Sequence, residues 1–241
     1  MPAHQQQIAT QGFTMLRGVF DDCEVTSLIA GLDLAMRKGE ADQGPIRDRS
    51  GTVYAGRNIL SLFEAARSVW RKPELLELLD EVLGGEFGLV RALYFDKPPE
   101  RTWSLPWHKD MTLAVKAHPS PSTVFSKPTL KAGVPHVEGS LEVLQAMLTL
   151  RIHLDDVTDE NGPLQVMPAS HLTGKAATVP DDTAQSILCR RGDVLAIRPL
   201  VSHRSISSKV GTERHRRILH LEFSVQRTLP DGFEWFEFVA G

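Results

Sequence analysis

Cysteine is scarce. Cys23 and Cys189 are the two thiols in 241 residues, and no CxxC is present. Such usage supplies no disulfide framework, and a reducing, cytoplasmic location is expected. Long hydrophobic runs are also lacking; none approaches the length of a membrane span, so no membrane partner is expected. Charge of one sign is not in excess: 27 Lys and Arg face 30 Asp and Glu, for a net charge of −3. No global basic field therefore favours nucleic acid or an anionic membrane. The opening residues, Met1 to Gln7, lack a charged n-region and an apolar h-region, so no signal peptide is expected. Internal repeats and low-complexity tracts are absent as well. What remains is an ordinary soluble composition, 41% apolar and 24% charged, long enough to bury a core. That length fits one large β-barrel or sandwich domain, or two small domains.

Periodicity divides the chain. Residues 12–20 read as a short strand. Asp21 with Glu24 then forms a helix start, followed by Val25, Leu28, Ile29, Leu32 and Met36 at helical spacing, with Gly39 as a stop. Residues 40–58 are polar and read as a loop, and 59–70 as helix. Pro73 opens another helix carrying Leu75, Leu76, Leu79, Val82 and Leu83, ended by Gly84-Gly85. From Phe87 the period becomes that of strands: 87–97, 144–154, 163–167, 194–197 and 217–225. Between them, 116–139 carries Pro119, Pro121, Pro128 and Pro135 with little periodicity, and reads as a long irregular insertion of the lid or binding-loop kind. Early helices and later strands predict an α+β chain whose catalytic half is an antiparallel double-sheet jelly roll.

Trp107-His108-Lys109-Asp110 carries the first chemistry. On an extended strand, residues two apart project from one face, so an imidazole and a carboxylate could reach one point. Two histidines and one carboxylate with open positions form the site expected of non-haem Fe(II) oxygenases. The second imidazole has several candidates among nine histidines. His4 lies in the tail. His118 and His136 fall in the insertion and read as loop residues or substrate contacts. His171 reads as a turn residue, and His215 and His220 sit among arginines near the last strand. His203 stands out because it ends a strand begun at Gly192-Asp193, and a jelly roll makes distant strands neighbours. Thr149, Arg151 and His153 alternate with leucines; a solvated face of an edge strand is the default reading, and a cavity face is the alternative. Asp155-Asp156 and Asp193 read as turn formers.

With these residues in place, the chain resembles the phytanoyl-CoA dioxygenase family of Fe(II)/2-oxoglutarate-dependent oxygenases. The matching segments are PWHKD (106–110), LDDVTDENGPLQVMPASH (154–171), GDVLAIRPLVSHRS (192–205) and RRILHLEF (216–223). The resemblance implies a double-stranded β-helix, a jelly-roll or cupin-like barrel, with N-terminal helices packed on the major sheet. It implies a single domain over 1–241: a helical part at about 20–84, a jelly-roll core at about 86–225 and a lid at about 116–140. It makes His108, Asp110 and His203 the iron ligands, with Fe(II) and 2-oxoglutarate as cofactor and co-substrate. The family holds the far carboxylate of 2-oxoglutarate with an Arg after the distal His. Strand register assigns this to Arg216, whereas loop length would assign it to Arg214. Ser205 matches a family hydroxyl that helps that carboxylate, and Arg151 falls where the family has a cavity residue near the co-substrate.

The implied reaction converts 2-oxoglutarate and O2 to succinate and CO2 while hydroxylating a small-molecule substrate. Retention of Asp110 favours hydroxylation over the halogenation of relatives that lack this carboxylate. A cupin-like metal isomerase, or a non-catalytic binding member of the same fold, stands as the alternative. His-x-His plus Glu would be more usual for the isomerase, and a full ligand set argues against the binding module.

Overall fold

The computed structural model describes residues 3–40, 43–99, 101–118, 122–177 and 182–241. Pro119 and Pro121 of the expected irregular insertion lie outside them, as do Met1 and Pro2.

The chain begins with α1 (Ala3–Gln11), β1 (Phe13–Leu16) and α2 (Asp22–Lys38), then β2 (Pro45–Arg47), β3 (Val53–Gly56), α3 (Ile59–Leu62) and α4 (Pro73–Leu83). A strand-rich part follows: β4 (Gly88–Lys97), β5 (Leu105–His108), β6 (Thr112–Ala114), β7 (Ser126–Lys131), β8 (Val134–Glu138), α5 (Leu141–Gln145) and β9 (Met147–His153). It ends with β10 (Leu164–Val166), β11 (Gln185–Ile187), β12 (Val194–Ile197), β13 (His203–Ser205), β14 (Arg216–Ser224) and β15 (Val239–Ala240).

Local chemistry accounts for the helices. Asp21 accepts from the Glu24 N–H at 2.8 Å while Glu24 accepts from the Asp21 N–H at 2.9 Å, closing a capping box at α2. Pro73 occupies the first turn of α4, where its missing N–H costs no hydrogen bond, and Gly84 ends that helix at a positive φ of 88°.

A large antiparallel sheet runs β1-β12-β9-β14-β4-β3-β2, with β15 added to β4. A second sheet runs β11-β10-β13-β5, and a third β6-β8-β7. The helices cover one face of the large sheet: Leu28 and Leu32 of α2 and Leu75 and Leu79 of α4 share a core with Leu89, Leu148, Leu150, Ile152, Leu219 and Leu221. Each such side chain contributes roughly 1.5–3 kcal/mol when fully buried. Alternation therefore sends the other face toward the second sheet, with Arg91, Thr149, Arg151, His153, Arg216, His220 and Glu222 on it, all inaccessible or half-accessible.

Four expectations are corrected. Residues 40–58 contain the β2–β3 hairpin, and 59–70 forms only one short α-turn and a 3-10 turn. The 116–139 stretch contains the β7–β8 hairpin, because a pair of strands can be stabilised by backbone hydrogen bonds without apolar alternation. Finally, β9 is central rather than an edge, flanked by β12 and β14, with all seven residues buried. Thr149, Arg151 and His153 are therefore not a solvated face.

Candidate metal centre

His203 on β13 pairs directly opposite His108 on β5, and the two ring centroids are 4.4 Å apart. Asp110 lies two residues beyond His108, outside the strand, where its N–H donates to the Pro199 carbonyl at 2.9 Å. The expectation that His108 and Asp110 share one strand is thus corrected: β5 ends at His108, and Asp110 lies in the segment between β5 and β6, tied to Pro199. Asp110 oxygens stand 3.9 Å from His108 Nε2 and 3.6 Å from His203 Nε2, and the three groups can each offer a ligand atom within 4.8 Å of the others.

Hydrogen bonds set the ring tautomers. His108 Nδ1 faces the Pro106 carbonyl at 2.8 Å, and His203 Nδ1 faces the Val201 carbonyl at 2.9 Å. A carbonyl only accepts, so both rings carry a proton on Nδ1 and turn an Nε2 lone pair toward Asp110. Burial pulls His203 down to about 4, which keeps it a neutral donor near neutral pH. Burial pushes Asp110 up, but His203, His220, His108 and Arg151 outweigh it and hold the carboxyl well below the usual range. Two imidazole lone pairs and an ionised carboxylate form a donor set that fits a divalent first-row ion.

The three groups line a cavity of about 410 Å³, with Arg151, Arg216, Ser205, His220 and Trp103 in its walls. Arg216 is buried, its terminal nitrogen donates to Ser205 Oγ at 3.2 Å, and its Nε has no partner among the described residues. A buried guanidinium with an unused donor fits an incoming carboxylate. Arg214 instead pairs with Glu160 at 3.3 Å on the surface. Arg217 points away and grips Asp155 through two bonds of 2.9 and 2.7 Å. Ser205 also accepts from Lys97 Nζ at 3.0 Å. Burial, with Arg216 alongside, lowers Lys97 to about 6.

Arg151 lines the cavity and donates to His220 Nδ1 at 3.0 Å. His220 then donates from Nε2 to Glu222 at 3.0 Å, and Arg91 holds Glu222 through bonds of 2.8 and 2.6 Å. His153 is buried and faces the Asp193 carbonyl at 3.3 Å, outside the cavity lining. His136 is buried in β8 with Nδ1 on the Val134 carbonyl at 2.9 Å, also outside that lining. Sequence reasoning missed Lys97, Trp103 and the Arg91–Glu222 pair. Period-two alternation of Arg91, Phe95 and Lys97 was the available signal, since one face of that strand had to meet something polar.

The sequence model of the phytanoyl-CoA dioxygenase family (PhyH) matches residues 8–217. The chain belongs to the phytanoyl-CoA dioxygenase family. Over 140 residues it is 27% identical to the L-proline trans-4-hydroxylase of Streptomyces griseoviridis, a match covering 58% of this chain and 42% of the hydroxylase. The chain thus matches less than half the length of that curated relative. Among solved structures of similar fold are the alpha ketoglutarate dependent carbocyclase SnoK from nogalamycin biosynthesis and EctD from S. alaskensis with bound Fe. SnoK superposes with a TM-score of 0.65 at 18% identity, covering 93% of this chain and 83% of SnoK. EctD superposes with a TM-score of 0.66 at 17% identity, covering 93% of this chain and 76% of EctD. At these identities the likeness to the solved structures is one of fold.

Proposed function

We propose that this member of the family is a non-haem Fe(II)/2-oxoglutarate-dependent oxygenase that hydroxylates a small molecule, with His108, Asp110 and His203 as the iron ligands. One observation carries the reading: two imidazole Nε2 atoms and a carboxylate from separate chain segments meet in a cavity that also holds a buried guanidinium with an unused N–H. The hydroxylase and carbocyclase relatives support it, as does the structure of EctD with 2-oxoglutarate and 5-hydroxyectoine. The large and second sheets are the two walls of a double-stranded β-helix, in a single domain over 1–241 whose 116–140 segment serves as the lid. No helix among the described residues is long and apolar enough to cross a membrane. Both cysteines are free thiols, which suits a cytoplasmic setting.

Iron at this site would supply the redox chemistry that couples conversion of 2-oxoglutarate and O2 to succinate and CO2 with hydroxylation of a substrate C–H bond. The protein's residues do the rest. Arg216 binds the far carboxylate of 2-oxoglutarate, and its planar fork fixes that end of the molecule. Ser205 helps hold that carboxylate, and Lys97 orients Ser205. Arg151 adds positive charge beside the site. Leu93, Phe95, Leu105 and Leu164 line the cavity and exclude water.

Anaerobic titration with Fe(II) and then 2-oxoglutarate tests this. A weak visible charge-transfer band is expected only after both are present, followed by succinate release on admitting O2. Absence of the band together with absence of 2-oxoglutarate binding would sink the proposal, and metal binding without succinate under any substrate would favour a cupin-like isomerase or a binding module.

A further inference from the structure

We propose that Arg57 and Lys131 form an anion-binding subsite in the same cavity, and that the substrate is a small molecule held there by its carboxylate. The word substrate rests on the oxygenase reading; the anion subsite does not.

Both cations line the cavity, and neither side chain makes an ion pair or a hydrogen bond with any described residue. They arrive from different elements: Arg57 directly follows β3, and Lys131 ends β7. Neighbouring cations without a counter-charge are unfavourable, and here burial and the nearby Arg91 pull Arg57 down, while burial, Arg57 and Arg91 pull Lys131 down.

The fold holds this pair in place at a steric cost. Asn58 adopts a left-handed conformation, φ 53°, and its Nδ2 donates to the Gln43 and Ala132 carbonyls, each at 3.0 Å. Ala132 is itself left-handed at φ 47°, and with Gly133 at φ 74° it forms the two-residue turn between the paired Lys131 and Val134. A residue with a Cβ disfavours that conformation, and such positions persist where the surroundings over-determine them, as at ligand clamps. One side-chain amide thus ties the β3 end to the β7–β8 turn and sets the two cations beside each other.

Charge balance identifies the ligand class. Asp110 is the one carboxylate lining the cavity among the described residues, against Arg57, Arg91, Lys109, Lys131, Arg151 and Arg216. Glu222 answers Arg91, the far carboxylate of 2-oxoglutarate would answer Arg216, Lys109 is held by the Ser170 and Gly174 carbonyls, and Arg151 donates to His220 and feels the Asp110 charge. Arg57 and Lys131 are left for another anion. They also stand apart from the Arg216 station. Gly56, next to Arg57, pairs with Tyr94, whereas Arg216 pairs with Lys97, so the backbone stations are separated by three residues along the strands, roughly 10 Å at about 3.4 Å per residue, and lie on opposite sides of β4. His108, Asp110 and His203 line the same cavity as both stations. A molecule anchored at Arg57 and Lys131 would therefore extend toward that cluster without competing for Arg216. A cation would be repelled, and a neutral molecule would leave both charges unanswered.

Inorganic sulfate is the first probe, titrated by calorimetry into metal-loaded, 2-oxoglutarate-saturated protein at constant ionic strength. We expect binding to the parent protein and at least a roughly tenfold loss of affinity in Arg57→Gln/Lys131→Gln, since charge-assisted bonds are the strong ones. Removing the repulsion should also raise the Tm of the unliganded variant, which shows that it folds, while the stabilising shift given by sulfate disappears. Equal sulfate affinity in the two proteins overturns the subsite. If 2-oxoglutarate fails to bind, the oxygenase reading fails, and the same comparison in apo protein still decides the subsite. The second probe is a panel of small carboxylic acids and their primary amides, read as succinate above the uncoupled background. Acids should stimulate and their amides should not; stimulation by amides equal to that of the acids, or by no acid of the panel, overturns the substrate class.

Discussion

Lys109 drives its ammonium onto the Ser170 carbonyl at 2.9 Å, and the Ser170 hydroxyl takes the Ser202 N–H at 2.8 Å. Lys109 sits between His108 and Asp110, and Ser202 precedes His203. A single residue of the 3-10 turn Ser170–Thr173 therefore braces both arms of the candidate metal centre. Lys109 also bonds Thr173 Oγ1 at 2.9 Å and the Gly174 carbonyl at 2.7 Å. Lys109→Met keeps His108, Asp110 and His203 and removes the brace. Metal affinity should fall about 10–100-fold, the usual effect of losing support around ligands. Competition with a ferrous chelator measures it, and parent-like affinity would show that the brace does not orient the ligands.

Asp110→Ala deletes the carboxylate of the donor set. Substrate-coupled succinate formation should vanish and bound iron should fall well below one per chain. Full activity in this variant would refute the ligand assignment.

The two neighbouring arginines of β14 should separate cleanly. Arg216→Gln removes the buried guanidinium proposed to hold 2-oxoglutarate, and the KM for 2-oxoglutarate should rise roughly 10–100-fold, as expected for charged hydrogen bonds of about 1.5–3 kcal/mol. Arg217→Gln should leave that KM in place and cost about 1 kcal/mol of stability, because its partially exposed pair with Asp155 is solvent-screened. Arg214→Gln should change neither. Initial-rate kinetics in 2-oxoglutarate and urea unfolding read the two effects.

Glu222 sits between Arg91 and His220 on the buried inner face of the large sheet. Glu222→Gln leaves Arg91 uncompensated there and should cost about 3–5 kcal/mol in urea unfolding. Replacing both Arg91 and Glu222 with leucine should recover most of that loss. A double variant as unstable as the single one would contradict an uncompensated charge as the cause.

Acid should destabilise the fold through buried histidines. Burial lowers His153 to about 3 and His136 to about 4. The native state keeps both neutral, whereas the unfolded chain protonates them below about pH 6.5. Their contribution is complete above that value and is lost as pH falls toward 4 and then 3, by up to about 1.4 kcal/mol per pH unit for each group. Urea midpoints between pH 7.5 and 5 should fall less steeply in His153→Asn, whose amide still reaches the Asp193 carbonyl. An unchanged slope would show that His153 is not held neutral.

Much of this was legible without coordinates, where the cause is local. The Asp21–Glu24 capping box, the Pro73 helix start and the alternation of β9 and β14 each depend on spacings of two to four residues. The β2–β3 and β7–β8 hairpins were not legible, because their pairing resides in backbone hydrogen bonds that carry no hydrophobic pattern.

By itself, the sequence determined which residues could do the chemistry: a His-x-Asp, several downstream histidines with His203 foremost after a Gly-Asp turn, and four basic residues near the last strand. Only the tertiary structure decided among them. Helices cover the leucine face of the large sheet, so its polar alternates must turn inward, which puts Arg151 and Arg216 in the cavity and Arg217 on Asp155. Strand pairing of β13 with β5 then sets His203 against His108, a relation that the sequence between them does not encode because it depends on which sheet each strand joins.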